Sequence, residues 1–597
     1  MAGDETVQGA DGRLAADDSY QGRHSAVAQE TLDYPIRTDR QADAVQRVSA
    51  RELLLTVVSF AVAGVVLFVL YYGKARTIGL SPDGASTVLQ AWDMLHGNVL
   101  LSGWSLSHVS FYTFELPEYV LVEAVRGAGA NVVATSAALT YTLAVLFAAL
   151  LARGNATGRT GLIRALIGGG IMLAPVWTGL LSNPNHLGTQ IPLMLIWLLI
   201  DRCRPRWWMP VLVAALLAWS QVADTLTVYE GVLPLMAVCV ARIYRRGLRL
   251  SAGSDEERYG EAGASTQASF ADWYGLIRPN WYEAALAVAA VAGALASVVT
   301  LHLIRVAGGF AVLQPKAFFG SVDQIASRIG TTAESILTLY SADFSGHTLR
   351  ASVDALIHLA GLALAVWALS RAYRRFWGQD LVTQLLAVAA GVLVVTYTLT
   401  GNPDVGGGTH EINGLLPIGA VLAGRLLGPS LARLRLFPVL AVVLVLYTGV
   451  LVHQAVRHPK PAADARIGAW LSEHHLDQGL ATYWDANIMT VTTSQQVRLT
   501  PVSQKSGRLV IMPWDSAASW YNPKTNHPTF YLLNTRYAAC PDPARTQARW
   551  QNRVTAAFGP PAKVYRNVYG YDVLVWDRNL LNAHIPRVAP HAPPACL

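Results

Sequence analysis

Apolar stretches of about 20 residues recur along most of this chain, and arginines collect in every second connection between them. A helix that crosses a bilayer needs roughly that length of apolar sequence, because lipid offers the backbone no hydrogen-bond partner. About eleven stretches qualify, several of them short: 53–72, 131–152, 163–182, 189–201, 208–223, 229–243, 284–304, 352–370, 381–399, 413–428 and 437–455. With the amino terminus inside, the cytoplasmic connections receive Arg153, Arg159 and Arg164; Arg202, Arg204 and Arg206; and Arg242, Arg245, Arg246 and Arg249. Later ones receive Arg371, Arg374 and Arg375, then Arg425, Arg433 and Arg435. The alternate turns near 183–188, 224–228 and 401–412 hold no Lys or Arg. Positive charge is retained on the cytoplasmic side. The pattern therefore predicts a multi-pass protein of the plasma membrane with its carboxy-terminal region outside.

Only 14% of the residues are charged and 52% are hydrophobic, against about 25% charged in soluble domains. The net charge of +7 sits in the arginine-rich turns rather than in a basic stripe interleaved with aromatics, so nucleic acid is not an expected partner. Residues 1–50 are polar and lack a basic-then-apolar leader, which reads as a disordered cytoplasmic tail. Residues 51–458 form the membrane domain. From Pro459 charged, aromatic and turn residues return, and 459–597 reads as a small extracytoplasmic α/β or α+β domain. In it an amphipathic helix is expected over 463–475, with strands over 488–493, 508–512, 529–533 and 571–576. The fold class expected is mainly α, a transmembrane bundle with interfacial helices in its first outer loop and this outer domain. Cys540 and Cys596 both fall outside, where an oxidising compartment permits a disulfide; Cys203 and Cys239 read as inert thiols. There is no HExxH, P-loop, dinucleotide fingerprint or GxSxG in a strand–turn–helix context.

Acidic and histidine residues gather at the expected outer ends of the helices. Asp224 and Glu230 flank one outer turn, His410 and Glu411 another, and Arg305 borders a helix end. Carboxylates beside lipid are costly unless they face a cavity or a partner, so a polar chamber is expected at that end. The long outer loop, 73–130, opens with Ser81-Pro82-Asp83-Gly84, read as a bend that presents a carboxylate. An amphipathic helix over 85–97 follows, with Val88, Leu89, Trp92 and Leu95 on one face, suited to lying flat at the interface. Asp93 on its polar side is a candidate for acceptor binding. Glu115 and Glu118 precede a short helix, where dipole complementation suits them.

One inner amino terminus, one span, a large outer loop with an early aspartate, many alternating spans and an outer domain together resemble the GT-C glycosyltransferase superfamily. The local likenesses are Ser81-Pro-Asp-Gly84 through Gly103-Trp104, Glu411-Ile-Asn-Gly-Leu-Leu-Pro417, and Ala469-Trp-Leu471 with Tyr483-Trp-Asp-Ala486. The resemblance covers about 50–580 and implies transfer of a sugar from a polyprenyl-phosphate donor to a glycan, lipid or protein acceptor of the cell envelope. It implies a first-loop carboxylate as general base, and the matching residue is Asp83. Members often carry two adjacent acids, whereas Gly84 follows here. Independently of the family, a phosphate is already a good leaving group. What remains is to remove the acceptor's proton and to stabilise the departing phosphate. Arg305 and His410 are the preferred cations among Lys316, Arg328, His347 and Arg350; Asp224, Glu230 and Glu411 would line the chamber. The Tyr483-Trp484-Asp485 run reads as aromatic packing in a small domain, with carbohydrate stacking as the alternative. A divalent ion would suit a carboxylate-rich site, although no ligand set is spaced for one. The alternatives are an inactive scaffold of the same architecture, or a transporter, for which Gly168-Gly169-Gly170 lacks a matching break.

Overall fold

The computed structural model describes residues 50–182, 184–258, 280–313, 319–344, 349–400, 408–460, 464–511, 513–536 and 542–588. The expected tail, Lys316, His347, and Cys540 with Cys596 lie outside these residues.

Helix α1 (Ala50–Ala75) leads to α2 (Pro82–Leu95), strand β1 (Trp104–Leu106) and α3 (Glu115–Arg126). The bundle continues with α4 (Ala130–Arg153), α5 (Gly158–Ile171), α6 (Gln190–Arg202), α7 (Met209–Ala223), α8 (Leu233–Arg258) and α9 (Trp281–Val306). After β2 (Ala311–Val312) come α10 (Ile325–Leu339), α11 (Leu349–Arg374), α12 (Leu381–Leu399), α13 (Leu415–Arg433) and α14 (Phe437–Ala455). Ten of the eleven expected stretches fall on helices over most of their length; 163–182 is helical only to Ile171 and then runs through turns. Among the described residues, seven helices are long and apolar enough to cross a membrane. The remaining four stretches fall on α5, α6 and α7, which are short, and on α8, whose second half is polar. The chain is thus a multi-pass membrane protein with a helical bundle. Apolar side chains such as Val288, Leu295 and Val299 of α9 and Val445 and Leu446 of α14 are exposed, which suits lipid and not water. Helix α4 is the hub, packed against α5, α6 and α13.

At one end of the bundle Arg425 of α13 is buried between carboxylates. It donates to Asp201 at 2.7 Å, to Asp380 at 3.0 Å and to the Leu151 carbonyl at 2.9 Å, tying α13 to the ends of α4, α6 and α12. Sequence placed Arg425 with the cytoplasmic turns. It lies within a helix instead, but at the same end as the other residues of those turns.

The carboxy-terminal region is a second layer. It comprises α15 (Ala465–Glu473), β3 (Gln478–Thr482), α16 (Tyr483–Thr492), β4 (Arg498–Lys505), β5 (Arg508–Val510), β6 (Ser516–Ala517), β7 (Phe530–Asn534), α17 (Pro543–Phe558), β8 (Lys563–Val568) and β9 (Tyr571–Val575). Six strands make one sheet in the order β5-β4-β3-β7-β9-β8, with β3 parallel to both β4 and β7. The stretch 488–493, expected as a strand, belongs to helix α16. Its β-branched residues suggest a strand, yet Thr482 Oγ1 donates to Asp485 across the first turn at 2.6 Å and the helix packs on α2. The unit β3–α16–β4 is a parallel crossover, so Tyr483 opens its helix at the carboxyl end of β3. Open α/β sheets place ligand contacts there.

A small second sheet, β2-β1-β6, joins the two layers: β1 of the first outer loop pairs parallel with β2 and antiparallel with β6. Helix α2 is covered by protein on both sides. Gly84 to Ala91 are buried, between the bundle and α16.

Candidate functional site

Ser81, Pro82 and Asp83 are not a free bend but the start of α2. Ser81 Oγ accepts the Gly84 N–H at 3.0 Å, Pro82 occupies the first turn where its missing N–H is harmless, and Asp83 complements the helix dipole. Ser81 also donates to the Ser182 carbonyl at 2.8 Å, fixing the helix start against the turn before α6. Gly84 has no room for a side chain: a Cβ there would stand 2.9 Å from Val133 Cγ1.

The Asp83 side chain is exposed, but the groups next to it are not. The Tyr483 hydroxyl donates to Asp83 Oδ1 at 2.5 Å and lies 3.4 Å from Asp515 Oδ2. Tyr483, Asp515, His186, Asp224, Glu115 and Glu230 are each no more than 8% exposed. The open carboxylate thus meets one buried phenol directly and feels the charge of buried His186. Surrounding protein pushes the Asp83 carboxyl up from the ordinary range, against the Tyr483 hydrogen bond and His186. Water still reaches the side chain, which restrains that rise.

Deeper in, His186 Nδ1 meets Asp224 Oδ2 at 2.7 Å, and the Asp224 carboxylate also takes Thr189 Oγ1 at 3.2 Å and the Leu226 N–H at 2.9 Å. Burial opposes the imidazolium, but Asp224 outweighs it and raises His186 to about 9. The His410 ring stacks on His186 with centroids 5.1 Å apart, and the Glu411 charge also acts on it. Gln190 donates to Glu230 beside this cluster. Ser110 Oγ and the Phe111 N–H bond to carbonyls at the end of α7, which brings Glu115 alongside Asp224. Glu115 is buried with both carboxylate oxygens unpartnered, and a Cβ on Gly188 would strike its carboxyl. Burial, then Asp224, raises Glu115 to about 8; burial raises Glu118, hydrogen-bonded by Thr140, to about 7. Glu115 lines a cavity of about 10 Å³ with Tyr119, Ser136, Ala137, Thr140, Leu180, Pro184 and Asn185, room for about one water. His186 and Asp515 both have left-handed backbones, φ 65° and 41°. Such strain in non-glycine residues gathers at functional sites.

Five of the residues chosen from sequence therefore come together: Asp83, Asp224, Glu230, His410 and Glu411. Asp93 does not join them. It accepts Trp104 Nε1 and Asn98 Nδ2, each at 2.7 Å, and holds the loop's fold. Arg305 is exposed at the end of α9, and Arg328 is turned to the Thr400 carbonyl at 2.6 Å. Among the described residues the cation these carboxylates meet is His186, not Lys or Arg. Nor do any three His, Cys, Asp or Glu side chains there stand in an arrangement that fits a metal ion. Sequence reasoning passed over His186 and Asp515, gave Glu115 to dipole complementation and took Tyr483 for packing. One signal was available for His186, the histidine in an Arg-free outer turn.

His186 is raised above its ordinary 6.5, so its pairing stabilises fully below that value and is lost as pH rises through about 9. Thermal unfolding in detergent should show the melting temperature falling across that window, and Asp224→Asn should flatten the fall. Glu115 adds a loss between its ordinary 4.5 and about 8, as its buried carboxyl ionises. Glu115→Gln should abolish that part of the slope.

No family model and no curated protein matches the chain. Among solved structures it is similar to ArnT from Cupriavidus metallidurans bound to undecaprenyl phosphate, at 12% identity over 87% of this chain and 97% of that one, with a TM-score of 0.47. It is also similar to the oligosaccharyltransferase of Archaeoglobus fulgidus in complex with Zn and sulfate, at 13% identity over 86% of this chain and 73% of that one, with a TM-score of 0.42.

Proposed function

We propose that the chain is a membrane glycosyltransferase of the GT-C kind. It moves a sugar from a polyprenyl-phosphate donor to a cell-envelope acceptor on the outer face, with Asp83 as general base. One observation carries this reading: an exposed carboxylate, held by a buried phenol, beside the helix ends that sequence assigns to the outside. The acceptor hydroxyl approaches from the open side of Asp83. Its oxygen bonds to the anomeric carbon, its proton passes to Asp83, and the bond from that carbon to the phosphate oxygen breaks with both electrons leaving on phosphate. A positioned base contributes about 10²–10⁴-fold to such a step. The His186 imidazolium and the neutral acid of Glu115 are the available groups that favour negative charge on the phosphate. Among the described residues no three His, Cys, Asp or Glu side chains fit a divalent ion, and no step is assigned to one.

The test is turnover. Protein in lipid nanodiscs, given polyprenyl-phosphate donors labelled in a hexose or a pentose, should release polyprenyl phosphate and pass the label to a cell-envelope extract. No release from any donor would favour the inactive scaffold instead.

A further inference from the structure

Position 84 cannot carry a second acid beside Asp83, for want of space. The nearby second carboxylate comes from the other layer of the molecule. Asp515 stands between β5 and β6, on the strand pair that joins the outer domain to the first outer loop. Its Oδ1 accepts the Ser107 N–H at 2.8 Å, its carbonyl accepts Ser86 Oγ of α2 at 3.1 Å, and its Oδ2 faces the Tyr483 hydroxyl. A phenol has one proton to donate. At 2.5 Å it is given to Asp83, and Asp515, itself buried, is left at 3.4 Å.

We propose that Tyr483 and Asp515 are positioning residues for the base: a carboxylate–phenol–carboxylate relay through which the outer domain controls the protonation of Asp83. The inference rests on the proposed function for its purpose, but not for its test. When Asp83 has taken the acceptor's proton, that proton passes to the Tyr483 oxygen while the phenolic proton passes to Asp515. Two O–H bonds break and two form, the negative charge moves from Asp515 to Asp83, and the base is ready again. Asp515 suits the receiving end, since burial and then the Asp83 charge raise its carboxyl to about 7. The other titratable groups acting on Asp83 are His186, from the turn before α6, and Tyr119, from α3. Neither bridges the two carboxylates. Docking of β6 on β1 thus does more than fasten the outer domain: it delivers two members of the relay.

The two members act on Asp83 in opposite senses, which separates a relay from simple loosening. Carboxyl bands would be followed by infrared difference titration of the full chain in nanodiscs without substrate, with Asp83 assigned by the band that Asp83→Asn removes. Asp515→Asn keeps the acceptor for the Ser107 N–H but removes the rival charge, so Asp83 should titrate at least about one pH unit lower. Tyr483→Phe removes the hydrogen bond that favours the ionised form, so Asp83 should titrate higher. The acidic limb of kcat/KM should move the same way in each variant, with Asp515→Glu restoring most of the shift. Shifts of one sign in both variants, or none, would overturn the relay. Because the titration uses no donor, absent transfer would defeat the proposed function and leave the relay standing, and the reverse holds equally.

Discussion

Asp83→Asn should lower sugar transfer by about 10²–10⁴-fold while the protein still expresses, inserts and holds its donor. Asparagine fits the same place at the start of α2. Its Oδ1 still accepts the Tyr483 hydroxyl, and the exposed side chain contributes little to packing. Only the capacity to take a proton is removed. The loss should therefore fall on kcat, with KM for the donor nearly unchanged, as expected for an interaction made in the transition state alone. Transfer at the wild-type rate would reject Asp83 as the base and leave the membrane architecture untouched.

Arg425→Met should be the most destabilising single change far from the site, at about 3–5 kcal/mol. Arg425 and Asp201 are both 7% exposed in their side chains, so truncating the arginine strands a buried carboxylate; Asp380 is half-exposed and can turn to water. Unfolding in detergent would show the loss. The companion variant Arg425→Met with Asp201→Leu should recover most of it, because removing both charges leaves nothing unpaired. Surviving Arg425→Met protein should retain its kcat, since the arginine bonds helix ends on the opposite side of the bundle from Asp83. Failure of the double variant to recover would mean that the pair acts through packing and not through charge.

The bundle was legible because membrane crossing is written in one dimension: apolar length and arginine placement need no knowledge of partners. Asp83, Asp224, Glu230, His410 and Glu411 were legible for a related reason, since ionisable groups at helix ends are costly without a shared purpose. The pairings were not. Tyr483 meets Asp83 across 400 residues and Asp515 meets Ser107 across 408, distances over which no periodicity speaks. The partners of Asp93 were equally hidden: its Oδ2 accepts both Asn98 and Trp104, which the polar helix face does not announce. The stretch 488–493 misled because strand propensity is weak evidence beside a packing face on α2.

The most direct test is to locate the donor. A structure with a non-transferable polyprenyl phosphonate sugar and an acceptor hydroxyl should place that hydroxyl about 2.6–3.2 Å from the Asp83 carboxylate, with the phosphonate toward His186. A donor seated elsewhere on the bundle, with Asp83 still bonded only to Tyr483 and water, would contradict it.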